Sequence, residues 1–104
     1  MMALNTRCTS LDEVRSNIDR IDRQLVALIA ERGAFVRQAA AFKKTAAEVP
    51  APQRVAQVLA HVRALAGESG ADPAVVEATW RAMIGAFIEA ERVEQAMLRP
   101  PSPH

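Results

Sequence analysis

The sequence predicts an all-α protein of three helices, one of them very long, assembled as an intertwined homodimer. Three observations carry the prediction. Apolar residues recur in steps of three and four, period-two alternation is absent, and aromatic residues make up 4% of the 104 residues with no tyrosine among them. Half the residues are hydrophobic and 24% are charged, which is ordinary globular composition.

The first helix starts at Ser10. Ser10 followed three residues later by Glu13 is a capping-box pattern, and Asp12 and Glu13 place acid in the first turn. The apolar seam then reads Leu11, Val14, Ile18, Ile21, Leu25, Leu28, Phe35, Ala39 and Phe42, a heptad pattern. Gly33 weakens this helix without ending it. The spacing predicts a helix from about residue 11 to about residue 44, roughly 50 Å at about 1.5 Å per residue. A compact domain of this size has a radius of gyration of roughly 13 Å. The short segments that follow cannot cover a rod that long, so a second copy of the chain is the economical cover.

Residues 45–52, TAAEVPAP, contain two prolines and break the helix, while Pro52 suits the first turn of the next one. The second helix carries Val55, Val58, Leu59, Val62 and Leu65 and stops around Gly67 and Gly70. The third opens with Asp72 as N-cap and Pro73 at the first helical position. It continues through Val76, Trp80, Met83, Ile84, Phe87 and Ile88 to around Met97. Residues 1–9 read as a flexible N-terminus, 10–98 as one helical domain, and 99–104, with three prolines, as a disordered tail.

Several function classes find no support. The formal charge of +1 offers no basic surface for nucleic acid. No apolar run suits a signal peptide or a membrane span, so the expected setting is cytoplasmic. Cys8 is the sole cysteine and reads as an unreactive thiol near a frayed terminus. His61 and His104 form no metal set at ligand spacing, and there is no phosphate loop, dinucleotide fingerprint or nucleophile elbow. Neither a metal nor a cofactor is expected.

The informative residues are polar ones at apolar positions. The seam position after Leu28 is Arg32, which is either a structural buried ion pair, an arginine snorkelling outward, or an anion receptor whose guanidinium fork grips a carboxylate. Lys43 follows eleven residues later, within about 20° of the same face and roughly 16 Å further along. Taken alone it is a solvated lysine at a helix end. Glu91 falls on the face of Ile84, Phe87 and Ile88, where the seam either reaches solvent or contains a buried acid able to hold a proton. Asp19, Arg20, Asp22, Arg23 and Glu31 lie off the seam and read as solvated neighbours. Cations and one acid in a helical dimer suit a small, apolar-bodied dianion.

The run LDEVRSNIDRIDRQLVALIAER and the stretch FKKTAAEVPAPQRV resemble the helical chorismate mutase family across nearly the whole ordered chain. The spacing of Arg15, Arg32 and Lys43, with a polar residue late in the last helix, is similar to that family's catalytic pattern. FKKTAAEVPAPQRVAQVL is most like the family's isochorismate pyruvate lyase branch, which serves salicylate biosynthesis. The resemblance implies a pericyclic enzyme without cofactor or covalent intermediate, acting on chorismate or isochorismate. Arg15, contributed by the partner subunit, and Arg32 would bind the two carboxylates. Lys43 would hydrogen-bond the ether oxygen as the C–O bond breaks. Ile84 and Ile88 join the substrate-binding set.

Two departures stand out. Typical members have glutamine where Glu91 stands, and a carboxyl donates a hydrogen bond only when protonated, so activity should fall as Glu91 ionises. The acids that bind the ring hydroxyl of chorismate in typical mutases are also missing, since no Asp or Glu follows Glu48 in that region. The expected activity is the rearrangement of chorismate to prephenate. The alternatives are cleavage of isochorismate to salicylate and pyruvate, and a catalytically weak dimerisation or regulatory module, which co-purification with a larger synthase and inertness toward both substrates would favour.

Overall fold

The computed structural model describes residues 7–42 and 52–98. It contains α1 (Leu11–Ala41), α2 (Pro52–Ser69) and α3 (Pro73–Leu98), and no strand among the described residues. The chain divides into two compact units, α1 in one and the α2–α3 pair in the other.

The start of α1 follows from its capping residues. Ser10 Oγ accepts a hydrogen bond from the Glu13 amide at 3.1 Å, and the Ser10 carbonyl accepts from Val14 N at 3.2 Å. The Glu13 side chain turns back, as a capping box requires, but Thr9 is its donor: Thr9 N and Oγ1 reach Oε2 at 3.2 and 2.9 Å. Those two bonds, the backbone one first, hold the Glu13 carboxyl below its ordinary range. Cys8 is tied to the second turn of α1, since Asn17 Nδ2 donates to its Sγ at 3.6 Å.

The helix runs through Gly33 and covers 31 residues, about 46 Å. It ends at Ala41, three residues before the expected end, with Phe42 in a turn and residues 43 and 44 outside the described residues. Its apolar seam is exposed from end to end. Leu11, Val14, Ile18, Ile21, Leu25, Leu28, Phe35 and, just past the helix, Phe42 retain between 40% and 87% of their accessible surface. Val26 and Ile29, off the strict seam, are exposed as well, so the apolar face is broader than the heptad reading implied.

The α2–α3 unit has a small core. Leu59, Val62 and Ala66 are buried in steps of three and four along α2. Leu65, one of the apolar residues expected on this helix, stays exposed, and its neighbour Ala66 takes the buried position in the stripe. The half-buried stripe of α3 runs through Val76, Trp80, Ile84 and Ile88 to Glu91.

A three-residue connection reverses the chain. Gly70, at φ 77°, stands just past the end of α2, and Ala71 N bonds to the Ala66 carbonyl at 2.9 Å, a Schellman closure. Gly67, the other expected stop, lies inside the helix. Asp72 then caps α3: its Oδ1 accepts from Ala74 N at 2.9 Å and its carbonyl from Val76 N at 3.0 Å. Among the described residues, no helix is long and apolar enough to cross a membrane.

Candidate active site

The residues expected to form the site fall on both units. Arg15 and Arg32 are on α1, where Arg15 is exposed and Arg32 half-buried. Seventeen residues separate them, roughly 25 Å along the axis and about 100° around it. Neither has a carboxylate partner among the described residues, so the structural ion pair considered for Arg32 is not made there. Lys43 lies outside the described residues.

Ile84, Ile88 and Glu91 are on α3. Glu91 is half-buried, between the two situations its place on the seam allowed. Ile84 and Ile88 line an open groove of about 690 Å³ between α2 and α3, with Val55 and Leu59 opposite. Glu91 continues the same stripe beyond Ile88 and is not among the residues that line the groove.

A charged cluster at one end of the groove was not anticipated from sequence. Glu77 on α3 accepts from Arg63 Nη1 of α2 at 2.6 Å and from Arg81 Nε, one turn along α3, at 2.9 Å. The two guanidinium bonds, Arg81's first, hold the Glu77 carboxyl below its ordinary range. Glu77 and Arg81 form an i,i+4 pair that spacing alone could have revealed. The Arg63 bond depends on how α2 and α3 pair, which spacing does not give.

The chain belongs to the chorismate mutase type II family, which matches residues 14–92. It is also similar to isochorismate pyruvate lyase of Pseudomonas aeruginosa, with 38% identity over 87 residues, covering 84% of this chain and 85% of that protein. Arg15, Arg32, Lys43 and Glu91 all lie within the family match.

Proposed function

We propose that this chain is a pericyclic enzyme that rearranges chorismate to prephenate, with Arg15, Arg32, Lys43 and Glu91 as its polar site residues. The observation that carries the reading is Arg32, a half-buried cation at a seam position of α1 with no carboxylate partner among the described residues, inside the family match. A guanidinium in such surroundings suits a carboxylate ligand better than solvent does. Arg32 and Arg15 bind the two carboxylates, Lys43 donates to the ether oxygen with Glu91 beside it, and Ile84 and Ile88 form an apolar wall. Orientation of a flexible enolpyruvyl side chain over the ring, with stabilisation of charge growing on the ether oxygen, supplies the rate.

The site is shared between two copies. One small substrate cannot span the roughly 25 Å that separates Arg15 from Arg32 on a single helix, so the partner subunit supplies Arg15. The exposed seam of α1 supports this reading, because a contiguous apolar surface of that extent marks an interaction face. Sedimentation showing a stable monomer would overturn the shared site.

A second reading, cleavage of isochorismate to salicylate and pyruvate, is favoured by the similarity to the Pseudomonas aeruginosa lyase and by the absence of acid from the first turn of α2. Parallel assays with chorismate and isochorismate, with Arg32→Ala as control, separate the two. Faster formation of prephenate supports the mutase, and preferential release of salicylate and pyruvate supports the lyase. No turnover of either substrate would reject both.

A further inference from the structure

Glu77, Ile84 and Glu91 stand seven residues apart along α3. Seven residues return a helix to within about 20° of the same direction, so the three share one row. Ile84 and Glu91 belong to the proposed site, and Glu77 does not. Roughly 21 Å of helix separates Glu77 from Glu91, too far for one small substrate to touch both.

Glu77 reaches α2 instead. Its Oε1 accepts from Arg63 Nη1 at 2.6 Å, two turns from the chain reversal at Gly70. Arg81, one turn further along α3, donates through Nε to Oε2 at 2.9 Å and so fixes the direction of the Glu77 side chain.

Packing alone holds the rotation of α3 about its own axis weakly. Among the described residues none of α3 is fully buried, and the facing core of α2 is Leu59, Val62 and Ala66. A Cβ built at Gly85, on the groove side of α3, meets nothing within 4 Å, so that flank is open. Charge-assisted bonds have a preferred direction that apolar contacts lack. Side-chain atoms lie roughly 6 Å from a helix axis, so a rotation of about 20° carries the row about 2 Å sideways. A displacement of about 1 Å in a reacting group can lower a rate about a hundredfold.

We propose that Glu77 is a positioning residue: gripped by Arg63 and Arg81, it sets the rotation of α3 and thereby aims Glu91 into the site. It acts through Glu91, along the shared row, and not by contact with substrate. The inference rests on the proposed site, and its test separates the two.

That test is a double-mutant cycle on kcat at neutral pH, at a temperature where circular dichroism shows every variant folded. Glu77→Gln should lower kcat about three- to tenfold, the shift that loss of a partly screened charged bond allows. In a Glu91→Ala background the same substitution should have no further effect. Residues this far apart otherwise behave additively, so equal losses in both backgrounds would overturn the proposal. Arg63→Lys, which keeps a donor, should retain more activity than Arg63→Met. Asp72→Ala is the structural control, since it weakens the same hairpin through a helix cap and should leave kcat within about twofold. The Ile84 and Ile88 methyl resonances give a readout that needs no turnover: they should shift in Glu77→Gln and not in Asp72→Ala. If the natural protein turned over neither chorismate nor isochorismate, the proposed function would fail while these resonances still decided whether Glu77 sets the rotation. Unshifted methyls in Glu77→Gln would show that it does not.

Discussion

Arg63 on α2 donates to Glu77 on α3 at 2.6 Å, and this bond ties together two helices whose shared core contains few fully buried side chains. The Arg63 and Glu77 side chains retain 50% and 25% of their surface, so solvent screens the pair. Glu77→Gln should lower the melting temperature slightly, and by less in high salt. The folded-state Glu77 carboxyl titrates below its ordinary value of 4.5, so its stabilisation is fully present above that value and disappears as pH falls through the folded one. Thermal melts of both proteins between neutral and strongly acidic pH should therefore converge at the acid end.

Two glycines of the α2 region should respond to alanine with opposite signs. At Gly67 an added Cβ meets nothing within 4 Å, so Gly67→Ala should stabilise by about 0.5–1 kcal/mol. At Gly70, φ 77° strains any L side chain, so Gly70→Ala should destabilise by about 1 kcal/mol. Urea denaturation resolves both, and two shifts of the same sign would contradict the helix end described here.

Asp72→Ala removes the acceptor for Ala74 N and should cost about 1 kcal/mol by the same measurement. Asp72→Asn or Asp72→Ser, which keep a capping oxygen, should recover most of that loss.

The shared-site reading makes a sharper prediction. Arg15→Ala and Arg32→Ala should each abolish turnover, yet subunits of the two variants unfolded together and refolded should regain about a quarter of natural activity. In a mixed dimer one site has lost both arginines and the other has lost neither, and half of the dimers are mixed. Activity staying at zero after mixing would place both arginines in the same chain's site.

Glu91 is tested by exchange of its hydrogen-bonding capacity. Glu91→Gln, whose amide donates a hydrogen bond, should keep or raise turnover, whereas Glu91→Ala should lower it at least about tenfold. Equal rates for the two variants would exclude Glu91 from the polar site residues.

The parts of the fold legible in sequence were those with short-range causes. Ser10, Asp72 and Pro73 marked helix starts because capping involves residues two to four apart. Gly70 marked the end of α2 for an equally local reason, while Gly67 shows that a glycine near a helix end is not always the stop. Leu65 was expected on the apolar side of α2 but Ala66 takes the buried position, because hydrophobicity ranks leucine first, whereas burial follows the angular position of Leu59 and Val62. Among the site residues, Arg32 and Glu91 stood out by interrupting apolar seams. The Arg63–Glu77 bond and the groove beside it did not, because they depend on which turn of α2 meets which turn of α3.

The uncovered side of α1 has a consequence for how the protein behaves on dilution. A helix of 31 residues that leaves its large apolar side chains in water derives little stability from its own chain. If a second copy supplies the missing contacts, association and folding become one equilibrium, and the melting temperature rises with protein concentration. Specific activity then falls on dilution, so the amount of this enzyme made by a cell would set the fraction that is folded as well as the number of active sites.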